Sequence, residues 1–165
     1  MTQTAVPLTI NGWKIYAHSL FLDQLEALVE AVDAARNKDP LGYTKKSDTK
    51  RLAAVLKLAF DEIPQDPART AYRQGDTLGD HNKHWFRAKF FQQYRLFFRY
   101  SSSHRTIILA WVNDEKTKRA YGTKTDAYKV FEKMLEGGNP PNDWDELMRN
   151  AKATHGRLKR LRRQQ

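Results

Sequence analysis

The stretch WFRAKFFQQYRLFFRY, residues 85–100, contains two runs in which apolar and basic residues alternate. Such alternation is typical of β-strands that bury one face. If residues 91–93 form a three-residue loop, the apolar residues of both runs share one face of a hairpin, whereas a two-residue loop would mix apolar and basic residues. The predicted antiparallel pairs are Phe90–Tyr94, Ala88–Leu96 and Phe86–Phe98. Because the loop lacks glycine, we expect a residue such as Gln93 to adopt the left-handed conformation.

The other face of this hairpin combines cations with aromatic rings. Its pairs are Lys89 with Arg95, Arg87 with Phe97 and Trp85 with Arg99. Like charges on opposed strands cost about 0.2–1 kcal/mol per pair. A bound anion would compensate this cost; the alternative is that Asp114, Glu115 or Asp126 neutralises the patch. Phosphates suit guanidinium groups, and the two aromatic rings offer stacking surfaces for unpaired bases.

The net charge of +10 is concentrated in two segments that contain no acid. Residues 81–113 contain Lys83, Arg87, Lys89, Arg95, Arg99 and Arg105, and residues 151–165 contain Lys152, Arg157, Lys159, Arg160, Arg162 and Arg163. Without these twelve, 17 of the 29 basic residues remain against 19 acidic ones. Clustered positive charge of this kind indicates a polyanionic partner. The alternative is a solubility device with a disordered basic tail.

Length and composition indicate one domain at residues 9–150, preceded by a lead-in at 1–8 and followed by a basic tail at 151–165. With 165 residues, 40% of them hydrophobic, the chain can bury a core. It has no cysteine, no apolar run of the ~20 residues that span a bilayer, and no secretory signal pattern. We therefore expect a cytoplasmic protein.

The apolar spacing predicts an α+β fold. We expect a first strand at 13–16, helices at about 21–32 and 52–63, and a loop at 64–84 with a short edge strand near Tyr72. Three strands follow at 85–91, 94–101 and 106–113, then a helix capped at 125–126 and a short helix with Trp144 and Leu147. The run TIILAWVN, 106–113, is apolar on both faces and predicts an interior strand. The sheet should be twisted and antiparallel-rich, with four to five strands, helices on one face and an open basic face.

The predicted basic face favours RNA cleavage without a metal ion. A metal nuclease needs carboxylates to hold magnesium, and this face has none. In the metal-free route the 2′-OH of RNA attacks the adjacent phosphate, and fixed cations stabilise the charge that develops. A proton acceptor and donor are also needed; His81, His84 and His104 flank the hairpin. Each of them is alternatively an exposed loop residue.

Longer stretches of the sequence resemble the RelE superfamily of bacterial toxins and, within it, the YhaV family. The resemblance extends from Asn11 to about Trp144. The stretches that carry it are NGWKIYAH (11–18), WFRAKF (85–90), YRLFFRYS (94–101), AWVNDEKTKRAYGTKTDAYKVFEKML (110–135) and PPNDW (140–144). It implies a RelE-like fold and a growth-inhibiting toxin that cleaves messenger RNA in connection with translation or the ribosome. It also implies a PrlF-like antitoxin with an AbrB-type domain, and no metal or organic cofactor.

The resemblance also assigns site residues. The paired basic residues of the superfamily are similar to Arg87 and Lys89, the arginine of its Tyr-Arg-Leu element to Arg95, and its late arginine to Arg119. Its tyrosine near the C-terminal helix is Tyr121 or Tyr128. The predicted catalytic residues are Arg87, Lys89, Arg95, Arg119, Tyr121, Tyr128 and His84. The predicted RNA-binding residues are Lys83, Trp85, Phe97, Arg99 and Arg105.

Two other functions remain open from the residues alone. A non-catalytic RNA- or ribosome-binding module would use the same basic aromatic face. A DNA-binding repressor is less favoured, because no basic helix is evident inside the folded region and only the tail qualifies. The tail itself would contact RNA or the ribosome, or be covered by the antitoxin.

Overall fold

A five-stranded mixed sheet forms the centre of the computed structural model, which describes residues 6–164. The strands are β1 (Thr9–Ile10), β2 (Trp13–Ala17), β3 (Phe86–Phe90), β4 (Tyr94–Ser101) and β5 (Thr106–Val112). Their order is β1-β2-β5-β4-β3, and β2 and β5 run parallel while the other neighbours run antiparallel. The predicted α+β class with an antiparallel-rich sheet is confirmed.

Helices cover both faces of this sheet. They are α1 (Ser19–Lys38), α2 (Ser47–Lys57), α3 (Ile63–Gln65), α4 (Ala127–Glu136), α5 (Trp144–Ala153) and α6 (His155–Gln164). A π-helical turn, Leu58–Glu62, joins α2 to α3. The helix therefore passes Pro64 and ends at Gln65, two residues later than predicted. The expected edge strand near Tyr72 is instead a 3-10 turn, Thr70–Tyr72, followed by a single bridge from Arg73 to Phe86.

The hairpin β3–β4 has the predicted register. Its pairs are Phe86–Phe98, Arg87–Phe97, Ala88–Leu96, Lys89–Arg95 and Phe90–Tyr94. The prediction of a left-handed residue in the loop is confirmed, but its placement at Gln93 is wrong. The left-handed residues are Phe91 (φ 45°) and Gln92 (φ 63°). The Gln93 amide closes the loop by donating to the Phe91 carbonyl at 2.6 Å.

The first face of the sheet packs against α1, α2 and α6. Side chains such as Leu96, Phe98 and Leu109 are fully buried there, among apolar residues from all three helices. Strand β5 is buried along its whole length, as expected of an interior strand. This face is the larger apolar core.

The second face is not open over its whole area, which corrects one prediction. Helices α4 and α5 pack on it, and Phe131 of α4 stacks on Phe97 with ring centroids 4.3 Å apart. The rings of Trp85 and Phe97 are fully buried as a result. The physical reason is that β5 also presents Ile108 on this face, and such apolar surface requires a covering helix.

The predicted basic tail is part of the fold. Residues 151–164 complete α5 and form α6, whose Leu158 and Leu161 enter the core of the first face. Arg157 donates to Asp23 at 2.7 Å and to Glu26 at 2.6 Å on α1. The expectation of a tail outside the domain is therefore wrong. Of the predicted lead-in, residues 1–5 lie outside the described residues.

No helix among residues 6–164 combines the length and the apolar character needed to cross a membrane.

Candidate active site

Two arginines of the hairpin meet at one tyrosine. Arg87 Nε donates to the Tyr128 hydroxyl at 2.9 Å, and Arg95 Nε donates to the same oxygen at 3.0 Å. Tyr128 lies in the first turn of α4, where Asp126 caps the helix by accepting from the Tyr128 amide at 3.0 Å. The phenolic oxygen uses both acceptor positions on guanidinium groups, so its own hydrogen can be donated to a third group.

Both guanidinium groups are fixed by further hydrogen bonds. Arg87 Nη1 donates to the Ala71 carbonyl at 2.7 Å, and Arg95 Nη1 donates to the carbonyls of Gln92 and Tyr94 at 2.7 and 2.9 Å. Within residues 6–164 neither Nη2 group has a hydrogen-bond partner. Neither Nη2 atom is fully buried. Arg87 and Arg95 are only 8% and 6% exposed, and their Nη2 groups retain some contact with solvent.

The site concentrates positive charge that carboxylates do not neutralise. The two Nε atoms lie within about 6 Å of each other, because both bond to one oxygen. Two unit charges at that distance repel by about 3 kcal/mol at an effective dielectric constant of about 20. Lys89, opposite Arg95 and exposed, has no ion-pair or hydrogen-bond partner in the described part of the chain. An anion with several oxygens would convert this repulsion into attraction.

Arg119 approaches Tyr128 from the loop between β5 and α4. Its guanidinium carbon lies 4.7 Å from the ring centroid of Tyr128 and 4.6 Å from that of Tyr121. Its Nη1 donates to the buried carboxylate of Asp126 at 2.6 Å. Of the three acids considered from sequence, Asp126 is thus the one that joins the cluster, and it neutralises Arg119 and not the hairpin cations. Asp114 instead caps its own 3-10 turn, Glu115–Thr117.

A cavity of about 210 Å³ opens beside these side chains. It is lined by Thr77, Arg119, Tyr121, Gly122, Asp126, Tyr128 and Lys129. The ring of Tyr121 is 91% exposed at its rim, and a large exposed aromatic ring above a cation is a surface on which a base can stack. The structure therefore brings together Arg87, Arg95, Arg119, Tyr121 and Tyr128, with Lys89 two residues after Arg87 on β3.

Other predicted site residues lie elsewhere. Trp85 and Phe97 cannot stack bases, because neither ring reaches solvent, and Trp85 Nε1 donates to Asn142 Oδ1 at 2.9 Å. Arg99 lies between the rings of Trp85 and Trp144, at 5.5 and 5.2 Å, and donates to the Asn142 carbonyl at 2.6 Å. Burial lowers the pKa of Arg99 to about 10, against the opposing effect of Asp143. Trp85 and Phe97 belong to the apolar cluster under α4 and α5, and Arg99 lies at its edge against the two tryptophan rings.

His84 is also outside the cluster around Tyr128. Its Nε2 bonds to Asn142 Oδ1, next to Trp85. Burial lowers the pKa of His84, the bond to Asn142 opposes that change, and the nearby charges of Arg99 and His81 add to it. His84 lies in the turn before β3 and is held by Asn142, and within residues 6–164 it has no hydrogen bond to Arg87, Arg95 or Tyr128.

The remaining basic residues of the hairpin region are dispersed. Lys83 pairs with Asp76 at 3.2 Å and Asp80 at 3.7 Å, and the bond to Asp76 raises its pKa. Arg105 stacks on Trp13 at 4.4 Å in the turn between β4 and β5. His104 lies in the same turn and bonds to Ser101. The structure places none of these residues with Arg87 and Arg95.

Two polar side chains that connect several segments, the half-buried Asn142 and the buried Asn113, were not predicted from the sequence. Asn142 connects His84, Trp85 and Asn82, and Asn113 connects the start of β4 to the loop after β5. A signal for Asn113 existed, since it is a polar residue directly after a wholly apolar strand. Within residues 6–164 no three His, Asp or Glu side chains are grouped as metal ligands would be, and the absence of a cofactor stays a prediction.

The sequence model of a toxin family, described as "Toxin with endonuclease activity, of toxin-antitoxin system", matches residues 15–152. The chain belongs to the YhaV toxin family. The cluster at Tyr128 lies inside the matched region, as does every helix except α6 and the end of α5.

Relatives in the YhaV family are similar to this chain over almost their whole length. Ribonuclease toxin YhaV of Escherichia coli (strain K12) is 49% identical over 151 residues, which cover 90% of this chain and 98% of that protein. Toxin YhaV of Escherichia coli O6:H1 (strain CFT073) is 48% identical with the same coverage. No solved structure matches the chain. The resemblance seen in the sequence is thereby confirmed at the level of the family.

Proposed function

We propose that this chain is a ribonuclease toxin that cleaves single-stranded RNA at the cluster formed by Arg87, Lys89, Arg95, Arg119 and Tyr128. The observation that carries the proposal is the shared Tyr128 oxygen, which holds two unneutralised guanidinium groups with their Nη2 atoms toward solvent. A phosphodiester is the anion whose oxygens fit such a pair. The YhaV family is a family of toxins with endonuclease activity, which supports RNA as the source of that phosphodiester.

The proposed reaction is an internal transesterification. The 2′-oxygen attacks the adjacent phosphorus and loses its proton, the bond from phosphorus to the 5′-oxygen breaks, and that oxygen gains a proton. The products are a 2′,3′-cyclic phosphate and a 5′-hydroxyl, and no oxidant or reductant is required. Charge accumulates on the non-bridging oxygens in the transition state, so fixed cations accelerate the step.

Each residue of the cluster has a distinct role in this proposal. The Nη2 groups of Arg87 and Arg95 bind the non-bridging oxygens, and Lys89 adds an ammonium group from β3. The Tyr128 hydroxyl donates to a phosphate oxygen, since its acceptor positions are occupied. Arg119 binds on the leaving side, and Tyr121 stacks on an adjacent base.

As a toxin of a toxin–antitoxin system, the chain has an antitoxin as its partner. We propose further that this antitoxin is PrlF-like with an AbrB-type domain, that the RNA is messenger RNA on the ribosome, and that the protein acts in the cytoplasm. These finer assignments follow from the resemblance to the YhaV family. Purification of the chain with candidate antitoxins, and cleavage assays with and without ribosomes, test them separately.

Cleavage of a defined RNA by the purified full chain tests the mechanism. We expect products with a 2′,3′-cyclic phosphate, formed equally with EDTA present, and no cleavage of the DNA version of the same sequence, which lacks the nucleophile. Arg95→Ala should lower the cleavage rate by about 10²–10³-fold, the loss typical for one transition-state hydrogen-bond donor. RNA affinity should change far less.

Arg99→Ala is the matched control, because Arg99 lies on the same strand and faces the same side but does not contact Tyr128. Its cleavage rate per folded molecule should match that of the wild type. If Arg95→Ala cleaves like the wild type, or if it loses only RNA binding, the chain is an RNA-binding module and the proposed mechanism is wrong. Products with a 3′-hydroxyl would exclude attack by the 2′-oxygen.

A further inference from the structure

Asn113 follows the last residue of β5 and is only 2% exposed. Its carboxamide makes three hydrogen bonds, which use the oxygen and both hydrogens of the amide nitrogen. Oδ1 accepts from the Arg95 amide at 2.6 Å, and Nδ2 donates to the carbonyls of Gln93 at 2.9 Å and Thr117 at 2.8 Å. One buried side chain therefore ties together the start of β4, the hairpin loop and the loop that leads to Arg119.

The same carbonyl of Gln93 connects Asn113 to Arg119. It accepts from the backbone amide of Arg119 at 2.8 Å as well as from Asn113 Nδ2. Asn113 thus holds the backbone at Arg95 directly and the backbone at Arg119 through one shared oxygen. Two further hydrogen bonds link the same segments, from Gln93 Nε2 to the Arg119 carbonyl at 3.3 Å and from the Asn113 amide to the Arg95 carbonyl at 3.4 Å. Among these links, the Asn113 carboxamide is the one that is buried and contacts all three segments.

The other end of the loop is held independently. Asp126 Oδ1 accepts from Arg119 Nη1 at 2.6 Å and from the Ala120 amide at 2.8 Å. Asp126 therefore fixes Arg119 relative to α4 and Tyr128, whereas Asn113 fixes Arg119 relative to β4 and Arg95. Arg119 is thus held from two sides, by Asp126 toward Tyr128 and by the Gln93–Asn113 pair toward Arg95.

We propose that Asn113 is a positioning residue of the ribonuclease site, which sets the placement of Arg95 relative to Arg119. The inference rests on the proposed roles of these two arginines. Asparagine is suited to the position because it offers one acceptor and two donor hydrogens on a short stem. Aspartate keeps the acceptor for Arg95 but has no donors for Gln93 and Thr117, and alanine has neither.

The test compares the kinetics of RNA cleavage by full-length variants. Asn113→Ala should lower kcat by about 10²-fold while KM changes less than about threefold, because a displacement near 1 Å at a reacting centre costs about that factor. Asn113→Asp, which has the same shape, should also lower kcat, by about tenfold or more. Rates are expressed per folded molecule, from near-ultraviolet circular dichroism.

Asn82→Ala is the matched control. Asn82 is equally buried at 2% and its carboxamide makes two hydrogen bonds, to the Leu78 carbonyl and to Asn142, with no link to Arg95 or Arg119. It should destabilise the protein comparably and leave kcat within about threefold of the wild type. This comparison separates positioning from a general loss of stability.

Other results overturn the inference. If both Asn113 variants keep a wild-type kcat, or if Asn82→Ala loses kcat to the same extent, Asn113 has only a structural role. If Asn113→Ala does not fold, the isosteric Asn113→Asp decides alone. Arg95→Ala, measured in the same series, identifies which idea has failed: active Arg95→Ala sinks the proposed mechanism, whereas inactive Arg95→Ala with active Asn113 variants sinks only the positioning role.

Discussion

The two faces of the sheet bury very different side chains. The first face, against α1, α2 and α6, is lined by apolar residues such as Leu96, Phe98 and Leu109. The second face, against α4 and α5, buries Phe97 and Trp85 but also the side chains of Arg87 and Arg95. On the first face the side chains of β3 and β4 form apolar core. On the second face the same strands combine buried aromatic rings with the arginines of the candidate site.

The difference shows how buried cations can be tolerated without carboxylates. On the second face the Tyr128 hydroxyl and three backbone carbonyls accept hydrogen bonds from the Nε and Nη1 groups of both arginines, which leaves the Nη2 groups unpaired within residues 6–164. Hydrogen bonds to neutral acceptors offset part of the desolvation cost but do not cancel the charge. The face thus keeps its positive charge, and an anion can bind at the Nη2 groups. A salt bridge to a carboxylate would have cancelled this charge.

The largest expected effect on stability comes from the first face. Leu109→Ala removes a fully buried side chain and should lower the free energy of unfolding by about 2–5 kcal/mol. Below the lowered melting temperature, kcat for RNA cleavage should match the wild type. Urea unfolding and cleavage assays on the same sample measure both quantities. A large loss of kcat in folded Leu109→Ala would break the separation between the two faces.

Tyr128→Phe should give an intermediate effect on stability and a strong one on cleavage. It removes the acceptor shared by Arg87 and Arg95, which leaves two buried donors unpaired at a cost of about 1–3 kcal/mol. We expect kcat to fall by about 10–10²-fold, because both guanidinium groups lose their common anchor.

Tyr16→Phe is the control for Tyr128→Phe. Tyr16 is buried on the same face, and its hydroxyl has no hydrogen-bond partner within residues 6–164. Its removal should leave both kcat and stability near the wild-type values. Equal behaviour of the two variants would show that the Tyr128 hydroxyl does not organise the site.

The smallest expected effect is the pH dependence of stability. Burial is the main cause of a lowered pKa at His18, His84 and His155; Asp23 opposes it at His18, and Lys159 adds to it at His155. Below about pH 6.5 the unfolded chain therefore binds more protons than the folded one. Stability should fall as the pH is lowered from about 6.5 through the folded pKa values.

Substitution of single histidines tests which of them causes the loss of stability at low pH. His18→Asn keeps a residue that caps α1 well, and His84→Asn removes the histidine beside Trp85 on the second face. Each should flatten the stability profile between pH 7 and 5, as measured by thermal unfolding. If neither variant changes the slope, other groups control the acid sensitivity.

The hairpin and the interior strand were predictable because their signals are local. A period-two pattern fixes which side chains share a face, and a one-residue slip would bury Lys89 or Arg87 in the first core. The helix at α4 was also predictable from its spacing and its cap at Asp126. The positions of Arg87, Lys89 and Arg95 on one face followed directly from this register.

What covers the second face was not predictable from the alternation alone. Trp85 and Phe97 were read as exposed stacking surfaces, but α4 returns across the sheet and buries them. Similarly, six basic residues after position 151 indicated a tail, although Leu158 and Leu161 at helical spacing dock α6 into the core. In both cases the deciding contacts join residues far apart in the chain, which a local pattern does not encode.

The amino-acid order by itself determined the hairpin register, the α+β class and the side of the sheet on which the cations lie, because these depend on period-two alternation and loop length. Only the tertiary structure decided that Tyr128 is the meeting point of Arg87 and Arg95, and that Asp126 and Asn113 hold Arg119. It also decided that Arg99 and His84 are held by Asn142, away from Tyr128. The reason is physical: hydrogen bonds of about 3 Å between distant segments require the packed fold to place their donors and acceptors.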